Sequence, residues 1–144
     1  MSIIILCFQW LGILFVTALI HEGGHALACR LYRVPIYEIM IWSGSPRHRL
    51  QFGRFAIGWF PYGGYVATPH IKDALIDFNI TLCGPAANII VAMITVFLPP
   101  SFDKLRWLNF IMGVYALVPI GNKKDGFRLL LIIMKWYHSR THCR

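Results

Sequence analysis

Carboxylates are scarce in this chain. Only six Asp and Glu stand against 14 Lys and Arg, and charged residues make up 14% of a sequence that is 57% hydrophobic. A soluble domain carries about a quarter charged residues, so an ordinary soluble domain is excluded. Charge is also missing in blocks: Met1 to Ile20, Phe78 to Phe102 and Trp107 to Asn122 contain none. No basic segment precedes the first block, and its apolar pattern continues to Cys29. A cleavable signal peptide lacks support, and the segment is expected to stay in the mature protein. The four cysteines (Cys7, Cys29, Cys83, Cys143) show no CxxC spacing, which excludes a zinc knuckle and leaves them as small apolar packers. There is no internal repeat, no low-complexity tract and no stretch long enough for a second globular domain, so residues 1–144 are expected to form one domain.

A spanning helix needs about 20 mostly apolar residues. The first two uncharged blocks meet that length. The third is shorter and contains Pro119 and Gly121, so its far end is expected to be irregular and sheltered by protein. The expected order is helix one over about 3–32, a β-hairpin and loop over about 34–72, helix two over about 77–98, helix three over about 105–121 and a C-terminal interfacial helix over about 127–138. The fold class is thus a mainly α membrane protein with three transmembrane helices. Its β-hairpin would pair IYEIMIW with RLQFGRFAIGWF across the SGSPRH turn, with Gly53 marking a bulge and PYGGYV forming a membrane-associated loop.

With three crossings, twelve of the fourteen Lys and Arg fall on one side, and only Lys104 and Arg106 on the other. The positive-inside rule then gives an outside N-terminus and a cytoplasmic C-terminus. Basic residues that flank spans orient the chain, so the net charge of +8 does not imply nucleic-acid binding; the expected partners are the lipid bilayer and other membrane proteins.

The polar exception lies at the end of the first apolar block, in HEGGH, His21 to His25. Residues four apart share a helix face, so His21 and His25 can point at one ion. Glu22 can reach a water at that ion but cannot chelate beside both histidines. This is the mechanical content of HExxH, two imidazole ligands for zinc and a carboxylate general base. The plainer reading is a chance string at a polar helix end; ionisable groups inside a membrane are costly and mark function. A catalytic zinc takes a third protein ligand. Asp103 falls on the opposite side, Glu38, Asp73 and Asp77 lie in or next to the extramembrane piece, and Asp125 returns to the side of HEGGH. A turn aspartate before Gly126 is the alternative for Asp125. An all-histidine site would have to draw on His48, His70, His138 or His142. The tail HSRTHC reads as a solvated terminus.

These segments together resemble the site-2 protease family of intramembrane zinc metalloproteases. HEGGH matches its HExxH, PYGGYV its glycine-containing loop beside the active site, GPAAN (Gly84 to Asn88) its GPxxN, and KDG its Asp-Gly segment. The resemblance covers most of the chain in the family's order and implies a minimal core without PDZ-like or CBS-like domains. It implies one zinc ion on His21, His25 and Asp125, with Glu22 as catalytic base. Gly63 and Gly64 would border bound substrate, and Asn88 would hydrogen-bond substrate backbone or a transition-state oxygen. Tight-turn and helix-packing roles are the alternatives for PYGGYV and GPAAN. Two departures are visible: Ala116 stands where the family often has Asn, and the spacing from Pro119 to Asp125 is one residue longer than usual. The implied function is an endopeptidase of regulated intramembrane proteolysis in a bacterial cell membrane, cutting membrane proteins near the cytoplasmic face. By family analogy its substrates are anti-sigma factors, membrane-tethered transcription factors or remnant signal peptides. The alternative is a catalytically inactive metal-binding scaffold that holds helices without cutting them. A metal transporter is disfavoured, because too few intramembrane polar residues remain to line a path.

Overall fold

The computed structural model describes residues 3–44, 49–120 and 125–141, with side chains through residue 138. Helix α1 runs over Ile3–Leu31, a stretch of Leu, Ile, Val, Phe and Ala with no proline to interrupt it. At about 1.5 Å per residue it reaches about 43 Å, more than the hydrocarbon core of a bilayer. Its first turns are bare, with Ile3 and Phe8 at 80% and 71% exposure, as lipid-facing side chains are. The helix stops where the Arg33 N–H donates to the Arg30 carbonyl (3.2 Å) and the Val34 N–H to the Cys29 carbonyl (2.8 Å). That is a Schellman stop, with Arg33 at φ 57°.

Helix α2 spans Ala74–Ile94 and continues as a short 3-10 turn to Phe97. Asp73 caps its start, accepting from the N–H groups of Leu75 (2.8 Å) and Ile76 (3.1 Å). Ile80, Thr81, Gly84, Pro85, Asn88 and Ala92 are buried, because α2 is the central helix, touching α1 and helices α3 (Asp103–Leu117) and α4 (Asp125–Thr141). Small residues allow this crowding. A Cβ on Gly24 of α1 would strike the Cys83 carbonyl, and one on Gly113 of α3 would lie 2.7 Å from the Ile89 side chain. Asn109, fully buried in α3, donates to the Leu105 carbonyl (2.9 Å) and to the Thr17 hydroxyl of α1 (3.4 Å).

Among the described residues, two helices are long and apolar enough to cross a membrane: α1, and α2 with its extension. Helix α3 has 15 residues and rises only about 22 Å, so it does not reach spanning length by itself. Helix α4 buries Leu129 and Ile132 against the bundle.

The chain between α1 and α2 forms a four-stranded sheet: β1 (Glu38–Ser43), β2 (Arg49–Phe52), β3 (Phe55–Gly58) and β4 (Phe60–Ala67), in the order β2-β3-β1-β4. This corrects the expected hairpin. The two runs do not pair antiparallel with each other; β1 pairs with β3 in parallel, Met40 opposite Ala56. The hairpin is β2–β3, and Gly53 (φ 61°) supplies the first residue of its two-residue turn rather than a bulge. The register shift falls in β1 between Ile41 and Ser43, at Trp42 (φ 65°). The Trp42 ring meets Phe15 of α1 edge to face at 5.3 Å and so ties sheet to helix. PYGGYV is not a loop: it lies within β4, antiparallel to β1 with Gly64 opposite Ile41. Chain reversal around the end of β1 is possible because Gly58 has no Cβ to strike the Ser43 carbonyl.

Candidate metal centre

His21, Glu22 and His25 occupy the inner face of α1 and are buried, at 6%, 5% and 8% exposure. Their spacing on a helix puts both imidazoles on one side, with ring centroids 5.0 Å apart and planes at 84°. Asp125 arrives from the first turn of α4. Its Oδ2 lies 3.0 Å from His21 Nε2 and 3.4 Å from His25 Nε2, and the three ligand atoms all lie within 4.8 Å of one another. Zinc–nitrogen and zinc–oxygen bonds of about 2.1 Å in a tetrahedral arrangement separate neighbouring ligand atoms by about 3.4 Å. The trio fits that spacing.

The tautomers sharpen the fit. His25 Nδ1 lies 2.7 Å from the Ile80 carbonyl, which can only accept, so Nδ1 carries the hydrogen. That leaves Nε2 facing a carboxylate oxygen at 3.4 Å, a contact that either a proton or a metal cation between the two atoms satisfies. His21 Nδ1 and Glu22 Oε2 are buried and have no hydrogen-bond partner among the described residues, as expected of groups arranged for something other than each other.

Neighbouring elements hold this geometry by what they omit. A Cβ on Gly84 would collide with Nε2, Cε1 and Cδ2 of His25, so GPAAN begins with glycine where α2 passes the imidazole. A Cβ on Gly64 would lie 2.5 Å from Glu22 Oε1 and 2.8 Å from the Met40 carbonyl; strand β4 therefore rests directly on the carboxylate. Gly126 follows Asp125 because a Cβ there would strike the Leu117 carbonyl at the end of α3. Helix α4 is also fastened to α2 by Arg128, whose guanidinium meets the Asp77 carboxylate at 2.5 Å.

The sequence-derived residues thus divide. His21, His25 and Asp125 come together, with Glu22 and Gly64 beside them. Gly63 (φ 69°) has open space around it. Asn88 is fully buried one helical turn past Gly84, with neither amide atom partnered among the described residues. Of the alternative histidines, His48 and His142 lie outside the described residues, and His70 and His138 belong to no metal-type cluster among those described. Ala116 is buried in α3. Sequence reasoning missed the Ile80 carbonyl, Asn109 and the Asp77–Arg128 pair; the scarcity of acids was the one signal that could have flagged Asp77.

Comparison with known proteins bears on the family of the chain. Residues 9–102 match peptidase family M50, a stretch that holds HEGGH, the sheet and GPAAN and ends before Asp125. A Thermotoga maritima protein described as "Putative zinc metalloprotease" is 32% identical over 121 residues, covering 70% of this chain and 23% of that protein. An Aquifex aeolicus NADH-quinone oxidoreductase subunit N 2 is 31% identical over 80 residues, covering 55% of this chain and 15% of that subunit. The chain spans less than a quarter of the length of either relative. With well over half of its residues matched to one family, the chain belongs to peptidase family M50, the site-2 proteases.

Proposed function

We propose that the protein is a zinc-dependent endopeptidase that hydrolyses peptide bonds within or near the membrane-spanning segments of other proteins. One observation carries the reading: two imidazole nitrogens and a carboxylate oxygen from residues 104 apart in sequence converge beside a buried, unpartnered carboxylate. The family membership and the relative named a zinc metalloprotease support zinc as the metal. His21 and His25 would hold it through Nε2 and Asp125 through Oδ2. When bound, zinc supplies a Lewis acid that polarises a peptide carbonyl and makes water acidic enough to lose a proton near neutral pH.

The chain's own residues supply the rest. Glu22 takes the proton of the attacking water and delivers it to the leaving amine. The His25 Nδ1–H bond to Ile80 fixes which nitrogen faces the site. Asn88 donates to the scissile carbonyl oxygen as negative charge develops on it. A peptide bond inside a helix is shielded by its own hydrogen bonds, so a substrate must unwind before it is cut. Strand β4 is an edge strand with one side unpaired, and an unwound segment adding to it regains backbone hydrogen bonds beside Glu22. The bare backbone at Gly63 and Gly64 admits that close approach. We further propose a third crossing built from residues around α3, an outside N-terminus and a cytoplasmic C-terminus in a bacterial cell membrane, as the placement of basic residues favours. Membrane-protein substrates of the anti-sigma, tethered-transcription-factor or remnant-signal-peptide kind suit such a site.

The test is cleavage of a panel of tagged single-span proteins by the purified chain in liposomes, comparing wild type with Glu22→Gln and measuring zinc on both. Cutting by wild type alone, with zinc retained by both, is the expected result. Zinc on both and cutting of a broad panel by neither would favour a metal-bearing scaffold once the natural substrate had been included. Absence of zinc from wild type after zinc loading would remove the metal centre from the argument.

A further inference from the structure

Among the described residues, the three arginines around the end of α1 pair with no carboxylate. The chain has six acids, and each is engaged elsewhere. Glu22 and Asp125 belong to the metal centre. Glu38 pairs with Arg49 at 2.7 Å, Asp77 with Arg128 at 2.5 Å and Asp103 with Arg106 at 3.0 Å. Asp73 caps α2. Arg30, Arg33 and Arg54 nevertheless line one cleft of about 520 Å³ between the end of α1 and the sheet, with a floor that includes Leu27, Val34 and Ile36.

The backbone adds a second observation. Arg33 sits at φ 57°, the left-handed position that closes a Schellman stop and that glycine fills without strain. An L-residue resists that conformation. Arg33 nevertheless holds that conformation and is one of the residues that line the cleft, so the strained position is also a cleft position.

The geometry points to a binding site for one anionic phospholipid, its phosphate held by Arg30, Arg33 and Arg54 and its acyl chain lying along α1. Guanidinium groups bind phosphate oxygens through paired N–H donors. The cleft opens where the apolar run of α1 gives way to charge, which is the depth of lipid headgroups. The helix surface leading from it is apolar and uncovered, with Leu27 and Leu31 at 60% and 73% exposure. A soluble phosphate would use the arginines and leave that apolar wall idle. The inference does not depend on catalysis, because it concerns a face apart from the metal centre.

The full chain would be placed in nanodiscs of phosphatidylcholine with graded phosphatidylglycerol, and the lipids it retains counted by native mass spectrometry. One phosphatidylglycerol per chain is expected to be retained in preference to phosphatidylcholine. Near a membrane surface each Lys or Arg contributes about fivefold in affinity. Arg33→Gly should therefore weaken retention about fivefold, and the triple change Arg30→Gln, Arg33→Gln, Arg54→Gln on the order of 100-fold. Thermal unfolding in pure phosphatidylcholine separates binding from folding: Arg33→Gly relieves the left-handed strain and should melt no lower than wild type. Arg49→Gln, which removes a guanidinium already paired with Glu38, should retain lipid as wild type does. Equal loss in Arg49→Gln would make the effect one of net charge and overturn the site. Unchanged retention in the triple variant would overturn it too. Displacement of the lipid by millimolar inorganic phosphate, or by an acidic peptide, would overturn the lipid as its occupant.

Discussion

Replacing Gly84 with alanine adds one methyl group at the position where α2 passes the His25 imidazole. The added Cβ would fall closer than 3.0 Å to three atoms of that ring, a separation that real Cβ atoms do not adopt. One of two things must then yield. The ring can turn away, which gives up the 2.7 Å bond from Nδ1 to the Ile80 carbonyl and takes Nε2 off the shared Asp125 oxygen. Otherwise α2 can move back from α1, which gives up the close packing of Gly24 against the Cys83 carbonyl at the same crossing and draws the ligand-bearing helices apart. Loss of a partner that orients a metal-bound histidine costs about 10–100-fold in metal affinity, which is about 1.4–2.8 kcal/mol. Displacing the ligand itself costs at least as much. Zinc affinity of Gly84→Ala, measured by competition with a chelator, should fall by at least that range while the helical content stays as in wild type. Gly23→Ala is the control: no atom lies within 4 Å of its added Cβ, and alanine favours a helix by about 1 kcal/mol over glycine. Zinc binding by Gly84→Ala equal to that of Gly23→Ala would refute the reasoning.

Gly64→Ala sets a Cβ against the Glu22 carboxylate and the Met40 carbonyl, so proteolysis should drop about 10–100-fold, the scale of a 1 Å misplacement, with zinc content unchanged in metal analysis. Arg128→Gln removes the guanidinium that fastens α4 to Asp77; because Arg128 is half exposed, the cost to stability should stay within about 1 kcal/mol, with a small fall in zinc affinity read by the same chelator competition. The Tyr65 hydroxyl donates to Glu38 at 2.7 Å, and that bond, followed by desolvation and the Glu38 charge, raises its pKa above the usual 10. The bond is therefore intact below pH 10 and is lost as pH climbs through the raised value. The absorbance difference at the tyrosinate band between wild type and Tyr65→Phe should titrate later than a free phenol, and titration at or below the free value would contradict the contact.

What could be read from the sequence was local. His21 and His25 are four residues apart, so a shared face follows from helical period alone, and the apolar blocks announce α1 and α2 by length. The sheet was a different problem. β1 and β3 are both short apolar runs, and alternation says which way side chains point but not which strand lies alongside which. The parallel pairing of Met40 with Ala56 depends on the chain wrapping around the end of β1, which no short window encodes. PYGGYV looked like a loop because glycine and proline mark turns; in the fold Gly64 answers instead to the approach of a carboxylate from α1. Asp125 could be placed on the side of HEGGH by counting crossings, but its meeting with both imidazoles is a tertiary fact. Arg128 and Asp77 are 51 residues apart, a separation at which nothing in the sequence names the partner.

The 104 residues between His21 and Asp125 also set an order of events during synthesis. Helix α1 leaves the ribosome with both histidines and Glu22 long before the carboxylate that completes the trio exists. Contacts this distant form late, after the intervening chain has been ordered. On the proposed reading, a nascent chain that has inserted α1 and α2 carries a two-ligand site among freshly inserted neighbours and cannot yet cut them. Only the docking of α4, held by Gly126 against α3 and by Arg128 against α2, brings Asp125 to the histidines. On that same reading the fold would act as its own zymogen, with competence waiting on the docking of α4.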